Sequence, residues 1–179
     1  MNRAAPFALA AFLPALGLSA AAPAQVRHDS SAPIDFSAAA IELQDRANRA
    51  ILSGGVSIRQ ASMTLTANRV TVAYTGQITQ GSPQASRMDA AGDVVVRRPD
   101  QTARSRFAVY DINRRVVTMI GGVTLTQGAN TLTGGRLSIN LDTGRATIDG
   151  SGVGGTQAPG TTTQSGGRVT GRFSVPERN

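Results

Sequence analysis

The amino-acid sequence predicts an all-β fold, and three observations carry that expectation. Apolar residues recur at every second position in short runs such as Val56-Ser57-Ile58, Met63-Thr64-Leu65, Val70-Thr71-Val72 and Leu137-Ser138-Ile139-Asn140-Leu141, the period of a strand with one buried face. Turn and bulge residues separate these runs at Gly54-Gly55, Gly76, Gly92, Gly121-Gly122, Gly134-Gly135 and Asp142-Thr143-Gly144. Helical spacing, by contrast, is hard to find beyond the stretch from Ser37 to Leu43.

The chain opens on a segment outside that pattern. Arg3 precedes an apolar stretch from Phe7 to Leu18, and the small residues Ala22-Pro23-Ala24 follow, the order of a secretory leader cleaved before Gln25. The stretch is short of the roughly 20 residues a membrane-spanning helix needs, and Pro14 interrupts it. Residues 1–24 are expected to be lost on export to the periplasm, leaving 25–32 as a short extension. Without cysteine there is no disulfide framework, cysteine-ligated metal or thiol nucleophile. The single histidine, His28, excludes a histidine triad or a multi-histidine metal centre. Among the 11 acidic residues, Asp89, Asp93, Asp111 and Asp142 fall mainly at turns, where Asp serves local hydrogen bonding. Carboxylate chemistry stays open to them, but nothing in their spacing resembles a site, and the chain is read as a non-enzyme with neither cofactor nor metal; a phosphate-binding Gly-Lys-Ser/Thr loop is also missing.

Residues 33–150 form the predicted domain, and its strands repeat. Gly54-Gly55-Val56 recurs as Gly121-Gly122-Val123, a shift of 67 residues from Gly54 to Gly121. At the same shift Gln60 meets Gln127, Thr64-Leu65-Thr66 meets Thr131-Leu132-Thr133, and Arg69 meets Arg136. A weaker middle copy aligns Gly92-Asp93-Val94 with Gly54-Gly55-Val56. After a one-residue adjustment it aligns Arg106-Phe107-Ala108-Val109 with Arg69-Val70-Thr71-Val72. Three antiparallel strand pairs of this kind bury their apolar faces only by stacking, as in a sandwich, a jelly roll or a solenoid. Residues 151–167, rich in Gly and Thr and almost without apolar content, read as a flexible linker, and 168–179 as a terminal strand and tail.

The segments AILSGGVSIRQASMTLTANRVTVAY and VTMIGGVTLTQGANTLTGGRLSINLDTGRA, with Pro33-Ile34 before them and GGRVTGRFSVPE after them, resemble the LptA/OstA-like family of periplasmic lipopolysaccharide-transport bridge proteins of Gram-negative bacteria. The likeness runs from about Ala32 to Gly150. Where the family places Asn after the turn glycine, this chain has Gly55, Asp93 and Gly122. The resemblance implies an open β-jelly roll, a folded and twisted sheet whose apolar groove shields lipopolysaccharide during outer-membrane assembly. It also implies head-to-tail self-association through edge strands, near Ile34 to Leu43 at one end and near Arg136 to Ile148 or Arg168 to Val175 at the other. The implied partners are an inner-membrane anchored component and an outer-membrane translocon.

A carrier of acyl chains needs a continuous apolar lining, because a chain of about ten methylenes loses roughly 8 kcal/mol on exposure to water. Alternate positions offer one: Leu52, Val56, Ile58, Met63, Leu65, Val70, Val72, Val94, Val96, Phe107, Val109, Met119, Val123, Leu125, Leu132, Leu137 and Ile139, with Ile41, Leu43 and Ile148 beyond them. The same pattern would fill an ordinary β-sandwich core. All 18 basic residues are arginine and the net charge is +7, a balance that attracts polyanions. Arg97, Arg98, Arg104, Arg106, Arg114 and Arg115 cluster in mid-chain and are the headgroup candidates, since guanidinium donors match phosphate oxygens. With two Tyr and five Phe there is no stacking platform for nucleic acid. Three rival readings stand beside the carrier. One is a membrane-anchored member of the same pathway, one a secreted structural β-repeat protein with a closed core, and one an enzyme acting on an anionic polysaccharide.

Overall fold

The computed structural model describes residues 28–76, 83–150 and 168–172. The expected leader (1–24) and linker (151–167) lie outside them. In chain order the strands are β1 (Ile34–Ser37), β2 (Ala40–Gln44), β3 (Arg49–Gln60), β4 (Met63–Thr75), β5 (Gln84–Arg98), β6 (Gln101–Asp111), β7 (Val116–Gln127), β8 (Asn130–Asn140), β9 (Ala146–Asp149) and β10 (Thr170–Arg172). All belong to one antiparallel sheet in the order β1-β3-β4-β5-β6-β7-β8-β10, with β2 also on β3 and β9 also on β8. The path does not close on itself, so the fold is all-β and open. The stretch from Ser37 to Leu43 is not helical: it enters β2, followed by a single 3-10 turn at Asp45–Ala47. Its apolar residues pair with β3 at Ile41↔Leu52 and Leu43↔Ala50, so cross-strand pairing decides their conformation.

The repeated glycines mark one line across the sheet. In β3, Gly54-Gly55 stand against the single residue Asn68; in β5, Gly92-Asp93 against Arg106; in β7, Gly121-Gly122 against Gly135. Each is a bulge with positive φ at both positions, from 49° at Asp93 to 91° at Gly121. The short edge strands break at the same level. β1 covers Ser57–Gln60 and β2 covers Arg49–Ser53, with Ala39 N–H donating to Gly54 O at 3.0 Å in the gap. At the opposite edge β10 covers Thr131–Thr133 and β9 covers Arg136–Ile139 of β8. A bulge bends its strand, and bulges aligned across the sheet crease it into two halves that share their long strands.

One face of each half is lined by transverse apolar rows. Ile58, Leu65, Val96, Ala103, Leu125 and Leu132 face one another on one side of the crease. Leu52, Val70, Ala90, Ala108, Met119 and Leu137 form a row on the other side, with Ala50, Val72, Met88, Tyr110, Val117 and Ile139 beyond it. These residues belong to one buried cluster or pack against it, except for Ala50, itself buried. Val70, Val94, Met119 and Leu137 are fully buried, which a single sheet achieves only when its halves cover each other. A hydrogen bond marks the seam where the free ends of the halves meet: Tyr110 Oη, from the far half of β6, donates to Gln60 Oε1 at the tip of β3 at 2.6 Å.

The N-terminal segment straps that seam. Gln60 Nε2 donates to Ser30 O at 3.0 Å and to Ala32 O at 3.1 Å, while Ser30 Oγ donates to Asp142 Oδ1 at 3.1 Å in the turn after β8. His28, at the start of this strap, is buried.

The middle repeat corrects the expectation from the sequence. The shift of 38 residues from Gly54 to Gly92 holds without adjustment, so Phe107, not Arg106, corresponds to Arg69, and Ala108 takes the place of Val70 in the inner row. Phe107 and Val109 therefore point away from the interior; Phe107 is 51% exposed. On β6 the inward positions run 101, 103, 105 and then 108, 110, because two successive residues face outward beside the bulge. Strict alternation misses such a phase change.

Candidate lipid-binding interior and its open edges

The folded sheet gathers the predicted lining residues onto one surface. Leu52, Val56, Ile58, Met63, Leu65, Val70, Val94, Val96, Met119, Val123, Leu125, Leu137 and Ile139 are all buried there, with Val72 and Leu132 partly buried against them. Only Phe107 and Val109 fall on the other face. The same surface includes residues outside the predicted lining, among them Met88, Tyr110, Val117 and Leu141, along with Ala90, Ala103 and Ala108. The alanines lie in β5 and β6, so the floor of the interior is shallowest in the middle strands, a feature that the emphasis on large aliphatics hides.

The inner rows do not stop at β3. Phe36 pairs with Ile58, Ile41 with Leu52 and Leu43 with Ala50, so each extends an inner row onto the edge strands. There the side chains are open to solvent: Phe36 is 58%, Ile41 49% and Leu43 54% exposed. At the other edge Val169, just before β10, is also exposed. The final edge is formed by β9 and β10; Arg136 belongs to β8, which they cover.

The six candidate headgroup arginines do not form one rim. Arg97 and Arg104 lie exposed on the outer face of β5 and β6, opposite Thr102 and Val95. Arg106 is exposed opposite the bulge of β5. At the turn between β6 and β7, Arg114 Nε lies 3.8 Å from Asp111, and Arg115 Nη1 donates to Asp142 Oδ2 at 3.2 Å. Arg98 differs from the rest: it is partly buried at the end of β5, and its Nε and Nη1 are shut from solvent without a hydrogen-bond partner. Both ring nitrogens of His28 are in the same condition.

Burial is the main cause that holds the His28 imidazole below its ordinary range; a polar contact with Gln60 opposes it, and the Arg98 charge reinforces it. The folded protein thus binds a proton at His28 less readily than the unfolded chain does. Stability contributed by the neutral ring is present above the unfolded pKa, about 6.5, and is lost as pH falls from there toward the folded value. Urea titrations across that interval should show the midpoint dropping in the wild type, with a smaller drop in His28→Gln; parallel profiles would assign the acid sensitivity to other groups.

The family model for the LptA/(LptD N-terminal domain) LPS transport protein matches residues 36–145, from β1 through all three bulges to the turn before β9. The chain belongs to this family. The LptA-like fold is also seen in the crystal structure of LptH, described as the LptA homologous periplasmic component of the conserved lipopolysaccharide transport device from Pseudomonas aeruginosa. That structure matches with a TM-score of 0.66 and 20% identity, over 83% of this chain and 99% of its own. An uncharacterized protein of Rhizobium meliloti (strain 1021) is 28% identical over 124 residues, 67% of either chain. Within the LptA-like family the chain is thus a lipopolysaccharide-transport protein, and its fold is the open antiparallel sheet described above.

Proposed function

We propose that this LptA-like protein is a non-enzymatic periplasmic carrier that holds lipopolysaccharide acyl chains between the halves of its creased sheet. It passes them along a bridge between an inner-membrane anchored component and an outer-membrane translocon. The observation that carries the reading is the run of inner rows out to exposed Phe36, Ile41 and Leu43. Apolar side chains left in water at a sheet edge are unfavourable by about 25 cal/mol per Å², and the unpaired backbone of β1 and β2 is a template for strand addition. A second domain adding its last strand there would cover both and continue the interior. Residues 1–24 as a cleaved leader, 151–167 as a tether and 168–179 as the terminal strand fit this use, with copies of the chain joining head to tail.

The tight packing of Val70, Met119 and Leu137 favours one other reading, a structural β-repeat protein whose core is closed. Photo-crosslinking in living cells separates the two. A probe at inward Leu65 or Leu132 should yield a lipopolysaccharide adduct, and one at Thr64 or Thr131, on the outer face of the same strands, should not. A folded, exported protein with no adduct at any inward position would leave the closed core standing and the carrier reading overturned.

A further inference from the structure

At the seam, partly buried Arg98 has its Nε and Nη1 shut from solvent without a hydrogen-bond partner, and buried His28 has no well-formed hydrogen bond at either ring nitrogen, only the polar contact with Gln60. A Cβ on Gly144 would stand 3.9 Å from Arg98 Nη2, so the guanidinium reaches from the tip of β5 to the turn after β8, on the opposite half of the fold. His28 approaches from the strap and is 5% exposed. The nearby carboxylates are engaged elsewhere. Asp142 accepts from Ser30 and Arg115, and Asp29 Oδ1 accepts from Ser31 N at 3.0 Å and from Ser31 Oγ at 2.6 Å. Gln60 completes the surroundings, spending its amide hydrogens on the strap and its carbonyl on Tyr110.

Shutting a guanidinium nitrogen from water without an acceptor is strongly unfavourable, and an anion restores both the hydrogen bonds and the charge balance. We infer that Arg98 and His28 form a phosphate site at the seam of the fold, with Arg98 Nε and Nη1 and an imidazole N–H as its donors. The inference rests on the carrier reading in so far as the phosphate belongs to a lipopolysaccharide headgroup, whose acyl chains would then enter the interior beside the seam. It also separates Arg98 from the other five headgroup candidates, which are exposed, two of them beside acidic partners.

His28 is the chain's only histidine, so imidazole NMR signals of the exported, ¹⁵N-labelled protein report on this site alone. Two probes are titrated separately: inorganic phosphate, and a deacylated glucosamine disaccharide carrying phosphate. Each is expected to raise the His28 pKa by about one unit at saturation, as a new opposite charge within a few ångströms does. The rise should vanish in Arg98→Gln and persist in Arg97→Gln, whose side chain lies on the outer face. Half-saturation at a tenfold lower concentration of the disaccharide supports the site with a lipid headgroup as its source, and equal concentrations support it with phosphate alone. No rise with either probe, or the same rise in Arg98→Gln, overturns the site. Arg98→Met removes guanidinium nitrogens shut from solvent without a partner, so it should fold with a thermal midpoint at or above that of the wild type; phosphate should raise the wild-type midpoint and leave that of the variant unchanged. If a Leu65 probe crosslinks lipopolysaccharide while His28 ignores phosphate, the site fails and the carrier stands. A phosphate response without crosslinking leaves the site standing and overturns the carrier.

Discussion

Leu137→Ala is expected to lower the unfolding free energy by about 2–5 kcal/mol. Leu137 is fully buried on β8, paired with Met119 on one side and Ile148 on the other, so the cavity left by truncation lies under a sheet held by ladders on both flanks. Collapse would require bending both neighbours out of register, which places the loss in the upper part of that range. Against a total of about 5–15 kcal/mol for a domain, one methyl-lined hole removes a large share of the stability. Chemical denaturation measures the effect directly. The matched control is Ser138→Ala, one residue along on the outer face, which should shift the midpoint little; equal losses at both positions would mean that the two faces of β8 are not distinguished as described.

Gly54→Val should be comparably damaging, for a different reason. Gly54 sits at the first bulge position with φ of 79°, where a β-branched residue is strained, and a Cβ there would lie 2.6 Å from Ala39 Cβ in the gap between β1 and β2. Left-handed strain of about 1–2 kcal/mol and overpacking of about 1–3 kcal/mol act together, and the clash pushes the edge strands away from β3. Gly55→Asn supplies the contrast. Its φ is 61°, nothing stands within 4 Å of the added Cβ, and the matching position of the middle copy already holds Asp93 at φ of 49°. Gly55→Asn should keep near wild-type stability while Gly54→Val loses several kcal/mol in the same denaturant series. Equal outcomes would contradict the assignment of distinct roles to the two bulge residues.

The lining of the interior was largely legible in the sequence because strands β3, β4, β7 and β8 carry large aliphatics on their inner face, and a shift of 67 residues superposes the two pairs. The middle pair was harder to read for a physical reason. β5 and β6 line the interior with Ala90, Ala103 and Ala108, whose small side chains give little contrast in a period-two pattern, whereas Phe107 and Val109 look like core residues and face outward. The glycine positions held the information needed to set the phase, since a bulge at Gly92-Asp93 places Arg106 alone opposite it and sends both Arg106 and Phe107 outward. The seam was not legible at all. It joins Gln60 to Tyr110, 50 positions apart, and Ser30 to Asp142, 112 apart, through contacts that arise only after the sheet has folded over. Single polar residues at strand tips carry no local signal of such a meeting. The edge strands were legible in part: Ile41 and Leu43 stood out by their alternation, but the break between β1 and β2 follows from the level of the bulge in β3, which the edge sequence itself does not contain.

The aligned bulges have a mechanical consequence. An ordinary two-layer sandwich connects its layers through loops, and parting them strains those connections. Here every long strand runs through both halves, so the angle between them is set along one line, on which β3, β5 and β7 each carry a pair of left-handed residues at a break in the ladder register. Ladder pairing within each half does not depend on that angle, and spreading is resisted both by side-chain contact across the interior and by the seam, where Gln60 meets Tyr110 and Ser30 meets Asp142. On the carrier reading, such a sheet would be stiff along each half and would adjust at its fold, so that the width between the halves could follow the bulk of an acyl chain by degrees.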